Sequence, residues 1–152
     1  MQLTEIDKKI IRVIQRHPPL AQAEQAELVG MSRSSFWRHV KDMEDAGVIG
    51  AQIPEVSAKK IVLKLRANCM ISLNNHSLET REKFEKHIEE MDNFLECYAT
   101  SGGKDYMLTV VAKDMDDYYE IMSSSILDHP TIDSTQTSFF MKEIKSTRRL
   151  PL

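Results

Sequence analysis

The sequence predicts an α+β protein in two parts, a three-helix unit followed by a unit with the element order βαββαβ. Three observations carry that prediction. Apolar residues recur at helical spacing as far as Met43, interrupted by Pro18-Pro19 and by Gly30. From Ile61 onward, strand-like runs alternate with helical ones. Between them, Ala51 to Lys60 has no helical period and carries Pro54. That stretch reads as a linker, residues 51–60, between an N-terminal domain (residues 1–50) and a C-terminal domain (residues 61–152).

The first helix opens at Thr4, which with Asp7 makes a capping-box pattern, Asp standing where Glu or Gln is usual. Ile6, Ile10, Val13 and Ile14 then form an apolar stripe that Ile11 widens, and Pro18-Pro19 stop the helix. Gln22 to Val29 is a second, short helix with Ala26 and Val29 as its apolar contacts. Gly30 occupies the turn, where φ > 0 is needed. Ser32 is the expected N-cap of a third helix, in which Phe36, Val40 and Met43 share one face. Ala46 to Gly50 ends that helix in a short extended segment.

In the second part, Ile61 to Leu73 reads as a strand, Asn74 to Ser77 as a turn and cap, and Leu78 to Met91 as a helix with Phe84, Ile88 and Met91 inward. Leu95 to Thr100 and Asp105 to Ala112 are two strands of a hairpin turning at Ser101 to Lys104. Met115 to Leu127 is helical, with Met115, Tyr119, Met122 and Ile126 expected inside, and Asp128-His129-Pro130 breaks it. Ile132 to Ile144 is the last strand. This order is the ferredoxin-like arrangement, a four-stranded antiparallel sheet with two helices on one face.

The helix after Gly30 carries the chemistry. Ser34, Arg38 and Lys41 lie opposite its apolar face, with Trp37 on the flank. Between Met31 and Lys41 there are basic residues and no acidic one. A short helix, a glycine turn and a second helix with a basic, serine-rich outer face suit entry into the major groove of double-stranded DNA. Serines approach phosphates closely and arginines pair with guanine edges. The candidate DNA-contacting residues are Ser32, Arg33, Ser34, Ser35, Trp37, Arg38 and Lys41. Trp37 is either a wedge against the DNA backbone or a packing residue against the first helix, and the packing role is the expected one.

The totals narrow the options. The 152 residues carry a net charge of -3, so bulk charge does not hold this chain to nucleic acid. Residues 1–50 hold seven basic and seven acidic side chains. DNA affinity must therefore come from local placement and from pairing of several copies. Cys69 and Cys97 have no metal or disulfide spacing and fall in strand-like runs, which predicts buried free thiols and suits a reducing cytoplasm. The five histidines form no metal constellation, and no cofactor-binding or nucleophile–base pattern is visible. No apolar run is long enough to span a membrane.

The two-part plan and a set of short motifs resemble the Lrp/AsnC, or feast/famine, family of transcriptional regulators. The opening Leu3-Thr4-Glu5-Ile6-Asp7-Lys8-Lys9-Ile10-Ile11 is similar to that family's first helix. Val29-Gly30-Met31-Ser32 is similar to its entry into the recognition helix, and His39 to Ile49 to that helix's ending. Ser101-Gly102-Gly103-Lys104-Asp105-Tyr106 matches its hairpin turn, Thr135-Gln136-Thr137 its last strand, and Leu150-Pro151-Leu152 its tail. The resemblance implies dimers formed through the sheet, their assembly into tetramers or octamers, and an amino-acid effector bound between dimers near the hairpin turn. It assigns Gly102, Gly103, Lys104, Asp105, Thr135 and Thr137 to the effector site. Glycine N–H groups suit a carboxylate and Asp105 an ammonium group.

Two departures stand out. Many members have Gly-Asp-aromatic-Asp where this chain has Gly102-Gly103-Lys104-Asp105, and many have Arg where it has His39. Lys104 could simply point into water, with the glycine pair serving the hairpin turn alone. Two other functions share the architecture: a decarboxylase acting on a tetrapyrrole haem precursor, and an architectural DNA-binding protein without an effector. For the enzyme, the chain offers no obvious cluster of His and Arg to hold a tetrapyrrole with several carboxylates.

Overall fold

The structure, a computed structural model, describes residues 2–16, 20–51, 56–147 and 149–152. It divides into two compact units. One comprises Met1–Pro54 together with Lys145–Leu152, and the other Glu55–Ile144.

The first unit is built on three helices, α1 (Glu5–Arg16), α2 (Gln22–Val29) and α3 (Arg33–Asp45). The capping box opens α1: the Asp7 carboxylate accepts from the Thr4 N–H at 2.8 Å, and Thr4 Oγ1 accepts from the Asp7 N–H at 3.2 Å. The stripe differs from expectation at one position. Asp7, Ile10 and Ile14 share the inner face, which leaves Ile6 at its edge and 47 % exposed. Pro18-Pro19 lie outside the described residues. Ile10, Ala26, Val29, Phe36, Val40 and Met43 form the core, with Leu3, Val13 and Met31 packed on it. After α3, Ala46 to Gly50 is a turn rather than an extended segment, because the Val48 and Ile49 N–H groups both return to the Met43 carbonyl. The tail, expected with the C-terminal domain, groups instead with this unit: Arg12 Nε donates to the Leu152 carbonyl at 2.8 Å, and the Leu150 N–H to Gln15 Oε1 at 2.6 Å.

The second unit has β1 (Leu65–Leu73), α4 (Leu78–Glu89), β2 (Phe94–Ala99), β3 (Tyr106–Ala112), α5 (Met115–Met122) and β4 (Ile132–Phe139). The strands form one antiparallel sheet in the order β2-β3-β1-β4. Ala67, Cys69, Ile71 and Leu73 alternate inward along β1, as do Tyr106, Leu108, Val110 and Ala112 along β3. Phe84 and Ile88 of α4 and Tyr118 and Met122 of α5 cover that face. Fully buried Phe84, Ile71 and Leu108 each contribute about 1.5–3 kcal/mol relative to an exposed side chain.

Several boundaries differ from the reading of the sequence. The first strand begins at Leu65, not Ile61. Residues Ala58–Ile61 make a 3₁₀ turn that ends at Val62 with φ +81°, which blocks an earlier extended start. β4 stops at Phe139: the Phe140 N–H makes a last bond to the Arg66 carbonyl, and β1 offers little backbone beyond. The last helix changes to a π-helical turn over Ser123–Leu127. Its inner residues are Tyr118, Met122, Ser125 and Ile126, so Tyr118 is 8 % exposed while Tyr119 is 67 % and Met115 54 % exposed. Cys69 is buried as expected, but Cys97 on the edge strand β2 is exposed. Among the described residues no helix is long and apolar enough to cross a membrane, and no group of three or more His, Cys, Asp or Glu could hold a metal ion.

Candidate nucleic-acid interface and ligand site

The turn between α2 and α3 is closed by backbone hydrogen bonds. Gly30 takes φ +81°, its N–H returns to the Ala26 and Glu27 carbonyls, and the Met31 N–H returns to Ala26. Lys9 Nζ takes the Val29 carbonyl at 2.8 Å and so ties the end of α2 to α1. Ser32 then caps α3 by accepting from the Ser35 N–H, and its hydroxyl lies 3.2 Å from that of Ser34. The first turn of α3 has no acidic residue, which leaves the positive end of the helix dipole uncompensated and available to a phosphate.

Phe36, Val40 and Met43 face the core. Arg33, Ser34, Trp37, Arg38 and Lys41 are exposed, and Ser35 is half-buried. Lys41 pairs with Asp45 at 2.8 Å, and that bond and charge raise its pKa. Among the described residues, Arg33 and Arg38 enter no ion pair. Trp37 is 53 % exposed, contrary to the packing role expected for it. Its position is turned away from the Phe36–Val40–Met43 seam, and the smaller Ile10, Ala26 and Val29 already close the core.

The link that orients α3 was not visible in the sequence. Asp7, 2 % exposed, accepts from His39 Nδ1 at 2.9 Å while also serving the α1 cap. Burial pushes the Asp7 pKa up, but the hydrogen bonds from Thr4 and then His39 outweigh it, so the carboxyl is held below its ordinary value. The available signal was His39 standing where a family arginine often does, one helix away from a capping carboxylate.

The residues expected to bind an effector are distributed differently. In the turn, the Thr100 N–H donates to the Asp105 carbonyl and Thr100 Oγ1 to the Lys104 carbonyl. Asp105 is partly committed to the fold: its N–H donates to the Ile71 carbonyl, and its Oδ2 accepts from the Leu73 N–H at 2.8 Å. Its Oδ1 lies 3.5 Å from His76 Nδ1. Lys104 does not point into water; Nζ donates to Ser134 Oγ on β4 at 3.0 Å. Gly102 and Gly103 are exposed, neither has positive φ, and a Cβ at either would meet nothing within 4 Å. The hairpin by itself therefore does not require glycine at these positions.

Thr135 pairs with Ile71 and Thr137 with Cys69, both on the helix-covered side. Thr137 Oγ1 lies 2.6 Å from the Tyr118 hydroxyl, so that hydroxyl is engaged inside the unit. The structure thus pairs Lys104 with Ser134 and Asp105 with His76 near the turn, and sets Thr135 and Thr137 on the helix-covered side. A shallow groove of about 660 Å³ lined by Met91, Asn93, Tyr119 and Glu120 lies on the helix side and contains none of the six expected residues.

Comparison with known proteins agrees with both halves. Residues 66–150 match the family described as the Lrp/AsnC ligand binding domain, and residues 3–49 match a winged helix-turn-helix DNA-binding family. The chain is 31 % identical over 152 residues to the transcriptional regulator AzlB of Bacillus subtilis, covering 100 % of this chain and 97 % of that protein. It is 29 % identical over 150 residues to the DNA-binding transcriptional activator DecR of Escherichia coli, covering 99 % of each. A transcriptional regulator from Neisseria meningitidis, solved as a complex with L-Met, superposes with a TM-score of 0.93 at 31 % identity, covering 99 % of this chain and 97 % of that one. The matches cover both units: this chain belongs to the Lrp/AsnC family of DNA-binding transcriptional regulators.

Proposed function

We propose that this chain recognises an operator through the outer face of α3 and that an amino acid bound by its second unit modulates that recognition in an oligomer. The observation that carries the reading is the α3 surface. Arg33, Ser34 and Arg38 project from a capped helix whose first turn is free of acidic residues. Arg38 suits a guanine edge, Ser34 and Arg33 suit phosphates, and Lys41 can exchange its exposed partner Asp45 for a phosphate. Footprinting on a duplex selected from genomic fragments tests it. A discrete protected site is expected; uniform protection along any duplex would instead favour an architectural protein.

The effector half rests on three supports. The Neisseria relative was solved with L-Met. Glycines stand at Gly102 and Gly103, where the turn does not need them. Lys104, held to Ser134, and Asp105, whose Oδ1 faces His76 at 3.5 Å, are neighbours at the turn and suit a carboxylate and an ammonium group. Thr135 stays in the proposed site by its place beside Ser134 on β4, which Lys104 contacts, while Thr137 lies 2.6 Å from the Tyr118 hydroxyl. The open face of the sheet, with Met70, Met107 and Gln136 partly or fully exposed, suits a second copy. The expected species in the cytoplasm is a dimer or an assembly of dimers, with paired DNA units about 34–36 Å apart, one turn of the duplex. Light scattering at micromolar concentration checks the assembly, and a thermal-shift screen of amino acids checks the effector; a ligand at a hundredfold excess over its Kd stabilises the fold by about 2.7 kcal/mol.

A further inference from the structure

We infer that Trp37 reads the operator directly, through apolar contact of its indole with thymine methyl groups in the major groove, and so biases the site toward A·T pairs. This rests on the proposal that the outer face of α3 enters the groove. The chain has a single tryptophan, and the structure places it 53 % exposed on α3. Helical spacing sets it one turn after Arg33 and one turn before Lys41, with Ser34 three residues before it and Arg38 beside it. An indole is thus interleaved in the basic column, with none of its neighbours on this face acidic until Asp42. The inner face is closed by Phe36, Val40 and Met43, so the core makes no use of the exposed half of the ring.

In the major groove only thymine presents a methyl group, and an apolar side chain distinguishes it by contact alone. Arginine and serine hydrogen-bond to base edges and phosphates and so do not register the methyl group. Trp37 therefore adds a type of readout that the rest of the α3 surface lacks.

The test uses the full chain and a duplex recovered from random-sequence DNA by selection. Each thymine in the protected region is replaced singly by uracil, which removes the methyl group and leaves the hydrogen-bonding edges unchanged. Some replacements should weaken binding about fourfold each, the loss of one buried carbon group. The same replacements should cost nothing in Trp37→Ala and in Trp37→Gln, the latter a good helix former that guards against a poorly folded alanine variant. Emission from the sole tryptophan should also change when the duplex is added. The inference is overturned if no uracil replacement weakens binding, if the losses persist in both variants, or if emission is unaltered at saturation. Failure to select any sequence would overturn the operator reading itself, a result separable from the others.

Discussion

Asp7 offers the sharpest test of how α3 is held. Asp7→Ala removes one side of the α1 capping box, an interaction class worth about 1 kcal/mol. It also deprives His39 of a carboxylate at 2.9 Å, and a hydrogen bond to a charged group contributes about 1.5–3 kcal/mol. Thr4 is exposed and the His39 side chain 26 % exposed, so water replaces part of what is lost. The net destabilisation should be about 2–3 kcal/mol. Urea unfolding followed by tryptophan emission reports the first unit alone, because Trp37 lies there and no other tryptophan exists. With a slope of about 1 kcal/mol per molar urea, the midpoint should fall by about 2–3 M.

The pH dependence adds an independent check. The Asp7 pKa is held below its ordinary value in the folded state, so its contribution is complete above about pH 4 and is lost as pH falls through the depressed folded value. Parent and Asp7→Ala should therefore converge on acidification. A loss below about 0.5 kcal/mol at neutral pH, within the range of ordinary surface substitutions, would refute the reasoning, as would a gap that does not narrow in acid.

Other outcomes are expected from the same geometry. Arg38→Ala should leave the melting point unchanged and weaken operator binding by about 1–3 kcal/mol, measured by titration at fixed salt. Gly30→Ala has open space for its Cβ but keeps φ +81°, so it should cost about 1 kcal/mol in chemical denaturation. Gly102→Ala should cost nothing in stability, and a diminished effector-induced thermal shift in that variant is the expected sign of a ligand at the turn. Asp105→Ala should lower the melting point even without ligand, by the equivalent of about 1–3 kcal/mol, because the Leu73 N–H loses its acceptor. An unchanged apo melting point would show that water replaces that bond freely.

Periodicity carried much of the fold because it records which side of each element meets a core. Phe36, Val40 and Met43 show their face in sequence, and Gly30 and Ser32 show the turn and cap, since these depend only on near neighbours in the chain. Boundaries were legible only where a local signal sets them. Val62 adopts φ +81° without any residue-type cue, and β4 ends where β1 stops offering backbone, so the starts and stops of those strands depend on distant partners. Tyr118 and Tyr119 are adjacent and chemically alike. Which one turns inward depends on the phase of α5 against the sheet and on Thr137, a residue of another strand. The roles of Asp7 and Asp105 divide in the same way. The capping spacing exposed the first of Asp7's partners, but its bond to His39 spans 32 positions, and so does Asp105's bond to Leu73. Pairings across that distance are made by packing α1 against α3 and β1 beside β3. The sequence by itself therefore determined the inner faces of α3 and α4, the caps at Thr4 and Ser32 and the element order, which arise from interactions a few residues apart. Only the tertiary structure decided which carboxylates are committed to the fold and which cations and indole remain facing outward.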